Sequence, residues 1–186
     1  MRERKYTVAS TGPRIERFLR PLLKAAGFRL DFEIVEGASA HPDVEDPELV
    51  VKLTGQDIDF VLSNRAELLL ALEHVTMEAL GVPSDHHALL CFDANDYRML
   101  RIEELRLSAA AAAERVKRTG TPFSFNPMSS RERRVINLAM RGETALRSES
   151  AGFGSHRQVV IYPAGMPSQP QPEGRFERRP QRRGGR

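Results

Sequence analysis

The chain has 186 residues, 40% of them hydrophobic, which is enough for one mid-sized domain or two small domains with apolar cores. A single cysteine and the absence of tryptophan exclude a disulfide scaffold and a cysteine-based zinc site. No apolar run reaches the roughly 18 residues that a membrane span needs, and the charged N-terminus leads into no apolar signal segment. We therefore expect a soluble protein of a reducing compartment, most simply a cytoplasm.

The net charge of +3 conceals a segregation of charge along the chain. Residues 1–93 contain 10 Lys and Arg against 16 Asp and Glu, a net charge of −6. Residues 94–163 contain 12 against 7, a net charge of +5, and residues 164–186 contain 6 against 2, a net charge of +4. This distribution predicts that a polyanionic partner binds the second half of the chain, with an ordinary solvated surface as the alternative.

The first half of the chain predicts the element order αββααβ. Its first helix begins near Pro13 and ends at Gly27, with apolar residues at helical spacing, and Pro21 kinks or restarts it. The remaining elements, in chain order, are strands over 28–35 and 48–53, a helical turn over 56–62, a helix over 67–80 and a strand over 87–92.

A long helix over residues 95–118 connects this half to a second small unit. Alanines fill positions 109–113 at its middle and favour the helical state. The second unit then has an extended piece over 123–125, a helix over 129–140 and strands over 143–150 and 157–162. Residues 164–186 are rich in Pro, Gln, Gly and Arg and predict a disordered basic tail.

Two segments of the second unit carry a resemblance to a known domain. Residues 125–140 and 148–161 resemble the R-three-H domain, a small nucleic-acid-binding domain named for an Arg and a His separated by three residues. Residues 92–101 and 115–120 look like the link between a KH domain and that domain. Over about residues 10–163 the chain is therefore similar to the bacterial Jag-type (SpoIIIJ-associated) proteins.

This resemblance implies an α+β fold in two small domains. A type II KH-like domain with the order αββααβ occupies residues 1–93. The long linking helix and the R-three-H domain occupy residues 94–163, and the disordered Arg-rich tail occupies residues 164–186. The tail is either an arm that contacts RNA or a solubilising segment.

The loop with which KH domains hold nucleic acid is degenerate in this chain. KH domains clamp about four nucleotides with a Gly-x-x-Gly loop, whose glycines let the backbone lie close to phosphates. The resemblance places that loop at Ser63, Asn64, Arg65 and Ala66, so both glycines are replaced and Arg65 is its remaining cation. We expect the RNA groove of the first domain to be weak or silent.

The R-three-H motif keeps its arginine and loses its histidine. The matching positions are Arg133 and Asn137, and an amide has neither the stacking ring nor the charge of an imidazole. The other residues that the resemblance assigns to nucleic-acid binding are Arg134, Ser150, Gly152, Gly154 and Arg157. Arginine suits this role because it matches phosphate oxygens bidentately and stacks on bases. As the alternative, one of the two helix arginines pairs with Glu132 or Glu149.

No spacing in the sequence selects a catalytic or metal-binding constellation. The chain has no phosphate-binding glycine loop, nucleophile elbow or zinc-hydrolase signature. Cys91 lies within a predicted strand among apolar neighbours, as a small buried hydrophobic residue does. We therefore expect no enzymatic activity, no cofactor and no metal.

The sequence thus predicts a non-catalytic protein that binds single-stranded RNA, with single-stranded DNA as a secondary ligand, mainly through the R-three-H domain. The resemblance implies post-transcriptional regulation linked to cell elongation and envelope growth. It also implies pairing with a second KH-domain protein, or self-association, through the first domain. The alternative is a protein-interaction adaptor whose degenerate KH domain docks a partner and no longer binds RNA.

Overall fold

The computed structural model describes residues 4–168, so the predicted disordered tail, apart from residues 164–168, lies outside the described part of the chain. The described residues divide into two compact units, the first ending at Glu104 and the second beginning at Leu105. Each unit combines helices with one three-stranded sheet. The predicted α+β class is confirmed.

The first unit has the predicted element order αββααβ. Its elements are helix α1 over Val8–Ala25, strand β1 over Leu30–Glu36, strand β2 over Leu49–Gly55, helix α2 over Ile58–Leu80 and strand β3 over Leu90–Asp93. Helix α2 consists of two parts, because residues 63–66 between them leave the helical conformation. The sheet order is β1-β2-β3, with β1 antiparallel and β3 parallel to β2.

One face of this sheet holds the core of the first unit. Successive side chains of a strand point to opposite faces, and Leu49, Val51 and Leu53 of β2 all point into the buried apolar cluster. Ile15 and Leu19 of α1 are fully buried in the same cluster. Helices α1 and α2 therefore both contribute apolar residues to one core.

Two element boundaries in this unit differ from the sequence prediction by three residues or more. Helix α1 begins at Val8 rather than near Pro13, because Thr7 and Ser10 form a capping box in which the Thr7 hydroxyl accepts the Ser10 amide at 3.1 Å. It then runs as one helix through Pro13 and Pro21, so the predicted restart at Pro21 is wrong. Strand β3 is shorter than predicted, since residues Ser84–Leu89 form a 3-10 helix before it.

A buried ion cluster fixes the start of the next helix, α3, which spans Tyr97–Thr119. The Arg98 guanidinium donates to both carboxylate oxygens of Glu45, in the β1–β2 loop, at 3.1 and 2.7 Å. It also donates to Glu73 of α2 at 3.2 Å, and the same Glu73 oxygen accepts the Phe92 amide of β3 at 2.8 Å. Burial lowers the pKa of Arg98, but the acidic groups around it outweigh burial and raise that pKa above its ordinary value.

The second unit is built on an all-antiparallel sheet of order β4-β6-β5. Its elements after α3 are strand β4 over Phe123–Ser124, helix α4 over Ser130–Ala139, strand β5 over Leu146–Ala151 and strand β6 over Gln158–Pro163. Helix α4 packs on β5 and β6, and Val135, Ile136, Val159 and Ile161 are buried. Within residues 4–168, no helix is both long and apolar enough to cross a membrane.

Replacing Arg98 with alanine should lower the free energy of unfolding of the protein by about 3–5 kcal/mol, because the buried carboxylates of Glu45 and Glu73 then lose the cation between them. Urea unfolding followed by circular dichroism measures the change. The control variant, Glu16→Ala, removes an exposed ion pair with Arg20 and should cost less than about 1 kcal/mol. Equal small losses in both variants would show that the cluster does not hold the unit together.

Candidate nucleic-acid interface

One face of helix α4 carries several basic residues of the second unit. Residues three or four positions apart lie on the same side of a helix, and such spacings separate Arg131 from Arg134 and Arg133 from Asn137. An open groove with a volume of about 430 Å³ follows this face; we call it the arginine groove. Its lining residues are Ser130, Arg131, Arg133, Arg134, Asn137, Leu138, Arg141 and, from β5, Ser150.

The local sequence determines where this helix begins. The Ser129 hydroxyl accepts the Glu132 amide at 3.3 Å, and the Glu132 carboxylate accepts the Ser129 amide at 2.8 Å. This reciprocal capping box satisfies two amides that the first turn would otherwise leave unpaired. The helix therefore starts at Ser130, and Arg133 and Asn137 follow one turn apart on the same face.

Two polar atoms in the arginine groove are buried without a hydrogen-bond partner. They are Nε of Arg133, a donor, and Oδ1 of Asn137, an acceptor. A buried polar group left unpaired costs about 1–3 kcal/mol, and most buried polar groups in native proteins are paired. Both atoms belong to side chains that line the groove, so a rotation of either side chain would present an unused donor or acceptor to a group that enters it.

The electrostatics of the groove favour an anion. Burial, followed by the nearby charge of Arg157, lowers the pKa of Arg133 from its ordinary value. Arg157 lies at the start of β6, so two guanidinium groups from different elements approach each other here. From residue 105 to residue 163 the chain has 10 Lys and Arg against 4 Asp and Glu, a net charge of +6. An anion between such cations relieves their repulsion.

The turn between β5 and β6 depends on glycine. Gly152 has φ +87°, and a Cβ there would lie 2.5 Å from the carbonyl oxygen of His156. Gly154 has φ +53° and faces open space. Both conformations are left-handed and suit glycine. Of the residues predicted in this turn, Ser150 lines the groove, whereas Gly152 and Gly154 shape the turn outside the lining.

The structure brings most of the predicted site residues together. Arg133, Arg134, Asn137 and Ser150 line one groove, and Arg157 lies close enough to influence Arg133. Their role in binding stays a prediction. The sequence analysis missed Arg131 and Arg141, which line the same groove. The signal that could have found Arg141 is its position four residues after Asn137.

Glu149 of β5 is one of the two candidate ion-pair partners of the helix arginines, and its carboxylate is hydrogen-bonded to other residues. Its carboxylate accepts the Ser168 hydroxyl at 2.6 Å and an Arg147 guanidinium nitrogen at 2.9 Å. These hydrogen bonds lower the pKa of Glu149 below its ordinary value, and the bond from Ser168 has the larger effect. Arg147 also stacks over the Tyr162 ring, 4.3 Å from its centroid. The Glu149 carboxylate therefore neutralises the positive charge of Arg147.

The predicted KH loop lies between the two parts of α2 and has an unusual backbone. Asn64, Arg65 and Ala66 have φ values of 51°, 61° and 58°, a left-handed conformation that residues with a Cβ seldom adopt. The Tyr97 hydroxyl donates to the Arg65 carbonyl at 2.9 Å, and Ala66 is fully buried. Ser63 donates its hydroxyl to the preceding turn at 2.7 Å. The sharp turn therefore forms without glycine.

Comparison with known proteins agrees with this geometry. Residues 103–163 match the family profile of the R-three-H domain, the domain that the sequence of this region resembles. The match contains the whole arginine groove.

Curated relatives also match. The chain is 29% identical over 116 residues to the RNA-binding protein KhpB of Clostridium symbiosum, an alignment covering 62% of this chain and 52% of the relative. It is 31% identical over 111 residues to the RNA-binding protein KhpB of Bacillus subtilis, covering 59% and 53%. The chain spans about half the length of these relatives. The predicted resemblance to Jag-type proteins is confirmed.

Replacing Gly152 with alanine should lower the stability of the second unit by at least about 1 kcal/mol, because the new Cβ meets the His156 carbonyl and φ is positive. Thermal unfolding measures the effect. Gly142→Ala is the matched control, since no atom lies within 4 Å of a Cβ built there. Indistinguishable melting temperatures for the two variants would contradict the requirement for glycine in this turn.

Proposed function

We propose that this chain, through its R-three-H domain, binds single-stranded RNA in the arginine groove and does so without catalysis. The observation that carries the proposal is the pair of unused polar atoms, Arg133 Nε and Asn137 Oδ1, buried in a groove lined by four arginines. The names of the relatives, which are RNA-binding proteins, support the same function.

The length of the groove fits a strand rather than one phosphate. Arg131 lies in the first turn of α4 and Arg141 lies two residues after its end, and the ten residues of this helix span roughly 15 Å at 1.5 Å per residue. Arginines distributed over that distance can bind successive phosphates of an extended backbone. A single small anion would use only one end of this surface.

Asn137 supports RNA rather than DNA as the main ligand. Its unpaired Oδ1 is an acceptor, and its amide nitrogen is a donor. The ribose 2′-hydroxyl donates and accepts hydrogen bonds and is the group by which proteins distinguish RNA from DNA. In this proposal Oδ1 of Asn137 accepts either that hydroxyl or an N–H on a base edge, while Arg133 and Arg134 bind the phosphates.

We further propose the cellular setting that the resemblance implies. The protein acts in a cytoplasm as a post-transcriptional regulator linked to cell elongation and envelope growth. Its first domain pairs with a second KH-domain protein or with a second copy. Support for these finer statements comes from the resemblance to Jag-type proteins.

A second candidate function is that of an adaptor whose first unit docks a partner protein. It is favoured by the glycine-free loop, whose central carbonyl is already bound by Tyr97, and by the net charge of −6 over residues 1–93. Phe60 is also 62% exposed, 6.1 Å from the Phe28 ring. Docking on such apolar groups shows little dependence on salt, whereas RNA binding by arginines weakens steeply as salt rises.

The double variant Arg133→Ala/Arg134→Ala should lose at least tenfold in affinity for a labelled 12-nucleotide single-stranded RNA. The slope of log affinity against log salt should also flatten by about 1.4, that is about 0.7 for each phosphate that an arginine no longer neutralises. Fluorescence anisotropy over a salt series measures both quantities.

The control is the double variant Arg17→Ala/Arg20→Ala, which removes the same charge from exposed positions of the first unit. It should retain nearly all of the affinity. Equal losses of RNA affinity in the two double variants would mean that binding depends only on the net charge of the protein. That result would exclude the arginine groove as the binding site. Loss in the control alone would make the first unit the RNA-binding part.

Replacing Asn137 with histidine should make RNA binding sensitive to pH. The imidazole has an ordinary pKa of about 6.5, and nearby Arg133 lowers it. Below that pKa the ring is charged, so affinity should rise as pH falls from 7.5 to 5.5 by a larger factor than in the unaltered chain. Parallel anisotropy titrations at the two pH values measure this, and identical pH responses would place position 137 away from the bound strand.

A further inference from the structure

The turn between β5 and β6 presents an uncovered aromatic ring. Phe153 is 55% exposed, and among the described residues of the second unit only Leu107 is a comparably exposed large apolar side chain. The other Phe and Tyr rings described in this unit have partners. Phe123 packs against Phe125 with ring centroids 5.0 Å apart, and Arg147 covers Tyr162.

Backbone hydrogen bonds hold Phe153 in a defined position. The His156 amide donates to the Phe153 carbonyl at 3.0 Å, and the Arg157 amide donates to the Gly154 carbonyl at 3.4 Å. Gly152 precedes the ring in a conformation that a larger residue cannot adopt without contacting His156. The ring is therefore displayed by a closed turn rather than by a loose segment.

The same turn also contributes to the arginine groove. Ser150, three residues before Phe153, lines the groove, and Arg157, four residues after it, lies close enough to Arg133 to affect its ionisation. A nucleic-acid strand whose phosphates bind the arginines would run toward the segment that displays the ring. Scattered apolar residues are normal on protein surfaces, but this one lies on a constrained turn, three residues from a side chain that lines the groove.

We propose that Phe153 is a base-stacking residue, on which one unpaired base of the bound strand lies while its backbone occupies the arginine groove. This inference rests on the proposed function and deepens it, because it makes an unpaired base part of the ligand rather than the phosphates alone. Every base has a π-face, so stacking of this kind tolerates sequence. A base that is paired within a duplex is not free to stack on the ring.

The test compares two labelled oligonucleotides of equal length and charge with the full chain. One is a 12-nucleotide single-stranded RNA of mixed sequence, and the other has abasic sites at its central positions. Phe153→Ala should weaken binding of the first roughly 5- to 100-fold, the range expected for one base stacked on an aromatic ring. It should leave the salt slope unchanged, because the arginines still neutralise the same phosphates. Phe153→Tyr should retain the affinity.

The abasic oligonucleotide separates stacking from a structural effect. Phe153→Ala should change its affinity little, because the base that would stack is missing. Leu107→Ala removes another exposed apolar side chain of the second unit and should change the affinity for neither oligonucleotide. The melting temperature of each variant shows that it remains folded.

The outcomes distinguish this inference from the function on which it rests. If the unaltered chain binds RNA and Phe153→Ala binds it equally well, or loses the same factor on both oligonucleotides, stacking is overturned while RNA binding stands. If the unaltered chain binds neither oligonucleotide, the proposed function fails, and the inference fails with it.

Discussion

The guanidinium of Arg98 lies away from water between two carboxylates that come from separate parts of the chain. Moving such a charge out of water costs several kcal/mol unless its partners are well placed. The β1–β2 loop supplies Glu45, and helix α2 supplies Glu73, which also holds the Phe92 amide of β3. Loop, helix and strand must therefore all be in place together. The residue before Arg98 is Tyr97, whose hydroxyl donates to the Arg65 carbonyl in the loop within α2. The position of the loop within α2 therefore also depends on the ion cluster around Arg98.

The surroundings of Arg133, in the arginine groove of the second unit, differ from those of Arg98. In the first unit a buried cation is fully matched by acids, whereas Arg133 has a buried Nε without a partner and a second cation, Arg157, nearby. Both features cost stability in the isolated protein. Sites that break the usual rules of pairing are typical of places where a protein binds something. The pairing of Arg147 with Glu149 on β5 shows that this unit does match charges elsewhere.

The sequence predicted those features that depend on local spacing. The order αββααβ followed from periodicity, and the predicted start of α4 at residue 129 lies one residue before the observed one, because Ser129 is its capping residue. The start of α1 was missed because its capping box uses a serine, Ser10, rather than the usual Glu or Gln. The 3-10 helix before β3 was missed because its apolar residues also fit a strand.

Features that depend on tertiary contacts were not accessible from the sequence. The resemblance named Arg133 and Asn137, but their unpaired atoms follow from burial, which local spacing does not report. Likewise, only Asn64 among residues 64–66 is of a type that tolerates a left-handed backbone, and Ala66 in particular disfavours it. Such a conformation persists only where surrounding contacts determine it.

That left-handed turn changes how the loop within α2 can respond to its surroundings. A glycine loop is adaptable, because many dihedral angles cost it nearly the same energy. With Asn64, Arg65 and Ala66 in its place, the unfolded chain has fewer conformations to lose, while the folded turn has steric strain to bear. The Tyr97 hydroxyl on the Arg65 carbonyl and the burial of Ala66 in the core have to offset that strain. Adjustment of this loop to a ligand therefore costs more than adjustment of a glycine loop, because it disturbs both contacts.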